Sequence, residues 1–460
     1  MTKVWDAIVV GGGISGLVSA LELGKSGNST LLLEGSSQCG GSVASIELAG
    51  HLVDSGAESF AISTSSTLDL LSELGLEANI VEPARSDARI LNNGILFAIP
   101  HGVMGIPSRL DDLEVKALLT ADELMEAKRL DALEWNVTDE SSIGEVVEKR
   151  MGRAVVEKIV NPIVAGVHAS NSYRLEMNSV LPGMLSLAQS LGTLEAAARA
   201  MRGKSGKPGS AIRGMSGGVH TMLSVLLERL QKLGVQIKLE SEVISIGFEE
   251  VEGIWTVKTK SGDFASRKLI IAVPARVAGN LLQDNKEMAN LLNEIKTVDV
   301  AVVIMAVKAQ GLKREPLGSG VLVAGEVEVI QAKASTHATA KWSWLRDLYG
   351  ADTEIIRFSY GRDGVLPENL SVLQDYARFD LAKLYDLSDF EIIDSVVVGW
   401  KGSLVQSSIG HQQIVKEILA LSRSHKGLAI VGSAVSSNGL TGVIRKAKEN
   451  IALLEKEYIA

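Results

Sequence analysis

The residues of this chain best placed to do chemistry are glycines. Gly11-Gly12-Gly13-Ile14-Ser15-Gly16 has the spacing G-x-G-x-x-G, which suits a backbone that wraps a pyrophosphate. Gly11 permits a tight turn, Gly13 lets the main chain approach the anion, and Gly16 lets the next helix lie close to the preceding strand. The helix N-terminus, which includes Ser15, presents free N–H groups and the positive end of a dipole to that anion. Glu34 ends the following strand, where a carboxylate can accept both hydrogen bonds of an adenosine ribose diol. The motif points to a dinucleotide; alone, it does not separate NAD from FAD.

Such a motif needs a strand before it and a helix behind it. Residues 5–10 are apolar and β-branched, 15–25 read as a helix and 30–34 as a second strand, a Rossmann-type β-α-β opening. A helix is expected over 63–75, ending at Gly75. Residues 100–205 are mostly helical by pattern, with helices over 120–132, 142–151, 154–164 and 185–201. The 186–202 stretch carries Arg199 and Arg202 near its end, and its apolar spacing reads as core packing. Residues 203–209 read as a loop. A helix over 217–233 and strands over 235–239, 242–248, 255–260 and 268–273 follow. Strand-like runs at 300–307, 320–323, 354–360 and 392–400 suggest a separate sheet, and 427–451 reads as strand, glycine turn and helix. The expected fold class is α/β: a discontinuous Rossmann-type nucleotide domain, a substrate domain with an antiparallel or mixed sheet, and a helical insertion. The expected boundaries are 1–85, 206–280 and 401–460 for the nucleotide domain, 86–99 for the edge of the substrate domain, 100–205 for the insertion and 281–400 for the substrate sheet.

Composition narrows the partners. Apolar residues make up 46% and charged residues 22% of the 460, an ordinary globular balance. The net charge of −9 argues against nucleic acid, and it means that an anionic substrate would need a local basic pocket. Cys39 is the lone cysteine, which excludes an internal disulfide, shows no metal spacing, and suits a reducing, cytoplasmic setting. No uninterrupted apolar run reaches the ~18 residues of a membrane span; peripheral membrane contact stays open. No Ser/His/Asp set or metal site stands out, and no general base is assigned.

Further segments carry a resemblance. Glu34-Gly35-Ser36-Ser37-Gln38-Cys39-Gly40-Gly41-Ser42 is similar to the second glycine motif of the amine-oxidase-like flavoproteins, and His51-Leu52-Val53-Asp54-Ser55-Gly56-Ala57-Glu58 continues it. Gly217-Gly218, then Glu242-Val243, resembles the segment whose strand backbone pairs with adenine in that family. Gly432-Ser433 through Gly439-Leu440-Thr441-Gly442 resembles the C-terminal motif, where a helix N-terminus faces the carbonyl end of the isoalloxazine. The resemblance implies FAD, held by Gly11, Gly13, Ser15, Gly16, Glu34, Gly40, Gly41, Ser42, Val243, Gly432, Gly439, Leu440 and Thr441, with Trp400 beside the flavin. Ser42 stands where a basic residue often follows the glycine pair.

Within that group the chain resembles, over nearly its full length, the protoporphyrinogen/coproporphyrinogen oxidases of haem biosynthesis, the soluble Gram-positive type most nearly. The similar segments are Leu70–Leu76, Ala88–Gly94, Met104–Ser108, Pro162–Ala169 and Val405–His411. The resemblance implies a six-electron oxidation of coproporphyrinogen III to coproporphyrin III, hydride passing to flavin N5 and dioxygen leaving as hydrogen peroxide, with protoporphyrinogen IX as the alternative substrate. It also implies three substrate contacts. Arg89 would bind a propionate, since a guanidinium grips a carboxylate through two parallel bonds. The Gly166 carbonyl would face the pyrrole N–H groups. His168 stands where the family has an aromatic residue. Transfer of product to the next haem-pathway enzyme is compatible with this reading. Rival readings on the same fold are an amine oxidase or carotenoid desaturase, which the 4% aromatic content disfavours mildly, and a flavin-free binder of prenylated proteins, which the intact glycine set and Glu34 oppose.

Overall fold

The structure is a computed structural model that describes residues 3–62, 64–85, 87–135, 141–202, 212–324, 329–436 and 438–459. Its first sheet assembles three distant parts of the chain. Parallel strands Gln236–Lys238, Thr30–Leu33, Val4–Val10 and Gly262–Ile271 lie side by side, Leu428–Ile430 pairs with the last of these, and Ile254–Thr259 and Val243–Glu249 extend the sheet antiparallel. The central strands are apolar on both faces because both faces are covered. Ala7, Val9, Leu32 and Ile270 pack under helices Ile14–Lys25, Met222–Lys232 and Leu440–Ile459. Ile8, Val10, Leu31 and Ile271 pack against Ala275–Leu281, Lys286–Glu294 and His411–Ser424.

The second sheet runs in the order Glu391–Val405, Thr297–Lys308, Glu354–Tyr360, Ala334–His337, Gly320–Val323, Arg89–Asn92, Ile95–Ala98. All its pairs are antiparallel except Gly320–Val323 with Arg89–Asn92. The short strand Ala334–His337 has no counterpart in the sequence reading, because its Ala-Ser-Thr-His carries no apolar run. A helical block with its own core, which includes Ile143, Val146, Ile159, Val164, Leu185 and Ala197, sits beside the sheet. The expected fold class is therefore the one found. Among the described residues no helix is long and apolar enough to cross a membrane.

Several elements differ from expectation. The single helix expected over 185–201 is two, Met184–Leu191 and Leu194–Arg202, broken at Gly192 with φ 84°. The break is held by buried charges. Arg150 donates to the Asp131 and Gly192 carbonyls, and the Asp131 carboxylate accepts from the Leu194 and Glu195 amides at 2.8 and 3.0 Å, capping the second helix. Hydrogen bonding to free N–H groups at a helix start is a strong local signal, but here it comes from a residue far away in sequence. Arg150→Met strands the Asp131 carboxylate, and we expect a loss of ~3–5 kcal/mol in urea unfolding; a loss under ~1 kcal/mol, typical of an exposed pair, would argue against this role. The helix expected over 154–164 passes through a π turn, Val156–Val160, and continues as Asn161–His168. The helix expected over 217–233 begins at Met222, after a 3-10 turn at Val219–Thr221. Ser63 and the loop expected over 203–209 lie outside the described residues.

Candidate active site

The strand Val4–Val10 runs into Gly11, whose φ of 106° favours glycine. A Cβ at Gly11 would lie 2.6 Å from the Ala272 carbonyl oxygen, and one at Gly16 only 1.9 Å from that of Gly11. Gly13 is different: a Cβ there meets nothing within 4 Å, so its main chain borders open space. The second glycine turn docks onto the first. The Gly40 amide donates to the Gly12 carbonyl at 2.8 Å, and a Cβ on Gly41 would stand 3.2 Å from Gly13 Cα. Glu34 folds back over the loop, accepting from the Gly12 amide at 2.6 Å and from the Ser36 amide and hydroxyl at 2.8 and 2.7 Å. The Ser241 amide donates to the Glu34 carbonyl at 2.8 Å, which brings Val243, two residues on, to the same end of the sheet.

The C-terminal segment closes the cradle. Gly432, with φ 107°, lies against Ser15: a Cβ there would be 3.6 Å from the Ser15 hydroxyl. Gly439 borders open space and precedes the helix Leu440–Ile459, whose Thr441 hydroxyl donates to the Ala61 carbonyl at 2.6 Å. Trp400 approaches from the second sheet. A Cβ on Gly56 would lie 3.1 Å from its Cζ2 and 2.1 Å from the Ser42 carbonyl oxygen, so Gly56, Ser42 and Trp400 meet at one point. Cys39 lines a separate cavity of about 960 Å³ beside this cradle. Burial, with Glu34 adding to it, pushes its thiol up to about 11, so it is protonated at neutral pH and unsuited to attack.

The three expected substrate residues do not converge. Gly166 and His168 lie on the helix Asn161–His168, against the second sheet. A Cβ on Gly166 would meet Leu322 Cδ2 at 2.6 Å, and its carbonyl accepts from Lys333 Nζ at 3.0 Å. His168 is buried, its carbonyl accepts from Gln406 Nε2 at 2.8 Å, and its Nδ1 has no partner. Burial, then Lys333, pushes its imidazole down to about 4. Arg89 pairs in parallel register with Val321, so it stands on the face of Val321 and Val323, opposite Leu322. Its side chain makes no hydrogen bond or ion pair among the described residues. A cavity of about 400 Å³ opens between the helical block and this sheet, bordered by Ile163, Val167, Leu322 and Ala334. Its charged wall is Arg85, Arg202 and Lys341, with His101 beside them and no carboxylate among the described lining residues. Arg89 is not among them, and Arg85, four residues earlier, is. Arg85 is itself held by Asp87 and Glu315 at 2.5 and 2.9 Å.

Lys341 connects this cavity to the cradle. It pairs with Glu58 at 2.5 Å, and Arg357 lies 3.4 Å from the same carboxylate. Arg357 also donates to the carbonyls of Asp54 and Gly56 at 2.6 and 2.9 Å. Burial pushes the Glu58 carboxyl up, and Lys341 and Arg357 outweigh it, leaving the group below its ordinary range. Lys333, Arg357 and Lys341 have no local sequence signal. Glu58 fell within a noted segment but carried no role.

The profile described as Flavin containing amine oxidoreductase matches residues 14–449. The chain belongs to that family. Its cofactor is FAD, and the cradle fits one: the main chain at Gly13 and Gly439 borders open space where a side chain would intrude. Among curated relatives, the chain is 24% identical to a Bacillus subtilis protein named coproporphyrinogen III oxidase, covering 97% of each. It is 27% identical to the protein of that name from Mycobacterium bovis, covering 95% of each. Among solved structures, a provisionally named protoporphyrinogen oxidase from Exiguobacterium sp. 255-15 superposes with a TM-score of 0.83 at 26% identity, covering 98% of each chain.

Proposed function

We propose that this flavoenzyme oxidises coproporphyrinogen III to coproporphyrin III, with dioxygen as the final acceptor and hydrogen peroxide as the by-product. The carrying observation is the cavity between helical block and second sheet, whose charged wall is basic in a chain of net charge −9. It answers the demand that an anionic substrate makes on an acidic protein. The names of the full-length relatives support the same reading.

Bound FAD supplies the two-electron redox chemistry. The protein holds, orients and excludes water. We assign the pyrophosphate to the Gly11, Gly13 and Gly16 loop with Ser15 and Gly432 beneath it, and the adenosine ribose to Glu34, with Val243 at the adenine end. Gly40, Gly41 and Ser42 would lie along the dinucleotide. Gly439, Leu440 and Thr441 would place the positive end of the Leu440–Ile459 helix at the flavin, where it favours negative charge. Trp400 would border the ring. Arg85, Arg202 and Lys341 would draw the substrate carboxylates to the cavity mouth.

The test is anaerobic. Purified, FAD-loaded protein is mixed with coproporphyrinogen III or protoporphyrinogen IX, and bleaching of the flavin band is followed. Coproporphyrinogen III should bleach it faster. If neither bleaches it, and neither is oxidised in air beyond its autoxidation rate, the proposal fails; faster bleaching by protoporphyrinogen IX moves the assignment to that substrate.

A further inference from the structure

Lys333 is the buried charge with the fewest explanations. Its side chain is almost wholly buried, yet among the described residues no carboxylate comes within ion-pair range. Of its three N–H donors, one has an acceptor among the described residues, the Gly166 carbonyl at 3.0 Å. That carbonyl belongs to the last turn of the Asn161–His168 helix, so a cation there suits the negative end of the helix dipole. Capping alone is a poor reason to bury an ammonium, because a buried charge without a counter-ion carries a large desolvation penalty.

The surroundings deepen the imbalance. The charge that acts most on Lys333 is another cation, Arg362, whose guanidinium donates to the Val323 carbonyl at 3.1 Å. The imidazole that Lys333 acts upon is His168, buried and with Nδ1 unpartnered. Burial and Arg362 push Lys333 down only to about 8, so it is mostly charged at pH 7. The site lies next to the lining of the cavity, through its chain neighbours. Ala334, next to Lys333, and Val167, next to Gly166, both line it. Lys333 therefore sits beside the lining of that cavity, and among the described residues no carboxylate pairs with its ammonium.

We propose that Lys333 binds a carboxylate of the porphyrinogen, keeping one N–H on the Gly166 carbonyl and turning the others to the substrate, with His168 as a second contact. This rests on the porphyrinogen reading of the cavity. It gives the Gly166 carbonyl a role different from the one expected of it: it aims the ammonium rather than facing the pyrroles alone.

The test uses FAD-loaded protein with two probes, coproporphyrin III and its tetramethyl ester, whose carboxylates are masked; binding is read by porphyrin fluorescence. Wild-type protein should bind the acid at least ~10-fold more tightly than the ester, the worth of one charge-assisted hydrogen bond. K333M should weaken binding of the acid by ~10-fold or more and leave ester binding unchanged. K333R, which keeps the charge, should restore most of the acid affinity. A purely structural lysine would lower the melting temperature of K333M and weaken both probes alike, or neither, and that overturns the proposal. So does a wild-type protein that binds the ester as well as the acid, a result that needs no variant to fold. Wild-type protein that binds neither probe overturns the porphyrinogen reading itself, and this proposal with it.

Discussion

Gly16→Ala is expected to yield protein that purifies nearly free of flavin. The added Cβ would lie 1.9 Å from the Gly11 carbonyl oxygen and 3.3 Å from Ala272 Cβ. The first contact is with backbone, so no side chain can swing aside. Either the helix Ile14–Lys25 must move off the sheet or the Gly11 turn must open. Overpacking of this kind costs ~1–3 kcal/mol of stability. The larger effect falls on FAD, because the same shift moves the main-chain donors of the loop away from the pyrophosphate we assign to them. Losing two charge-assisted bonds at ~1.5 kcal/mol or more each weakens FAD binding by at least ~100-fold. The check is the flavin-to-protein absorbance ratio after purification, followed by titration of the stripped protein with FAD. A Gly16→Ala protein with full flavin content and an unchanged dissociation constant would remove the tight helix–strand contact from the account.

Glu58→Gln carries the second large effect. Glu58 is the counter-ion of Lys341 at 2.5 Å and of Arg357 at 3.4 Å, and the three side chains are largely buried. Neutralising it leaves two cations facing each other, and removing one partner from a buried ionic cluster costs ~3–5 kcal/mol. Function suffers too. Arg357 ties the carbonyls of Asp54 and Gly56, and Gly56 packs beneath Trp400. The pH dependence follows from the direction of the shift. The Glu58 carboxyl lies below its ordinary 4.5 in the folded chain, so the folded state releases its proton more readily than the unfolded one. Its stabilisation is full above pH 4.5 and fades as the pH falls through the lowered folded value. The stability gap between wild type and Glu58→Gln, measured by urea unfolding, should therefore be largest at pH 7 and shrink below pH 4.5. A gap that stays constant across that range would show that the charge is not the cause.

Much of the nucleotide cradle was legible in the sequence because its determinants are local. A glycine at φ 106° followed five residues on by one that a helix presses against a turn is a requirement of backbone sterics, and it reads the same in any context. The return of residues 428–430 to the first sheet was legible for a similar reason, since strand, glycine turn and helix repeat the opening pattern. The helix break at Gly192 was less so. Leu185–Met201 keeps its apolar spacing across the break, and what decides it is a buried Arg150–Asp131 pair contributed by other helices.

The sequence by itself determined that the chain carries a G-x-G-x-x-G loop on an α/β fold and that three separated segments build its first sheet. Tertiary structure decided which charges meet. Glu58 and Lys341 are 283 residues apart, and Lys333 and Gly166 are 167 apart. No spacing rule links such residues, because their attraction operates only after sheet register and helix packing have buried them together. Register decided Arg89 as well: pairing with Val321 puts it on the face of the second sheet away from Leu322 and Gly166. A shift of one residue would have put it on the other, since side chains alternate along a strand.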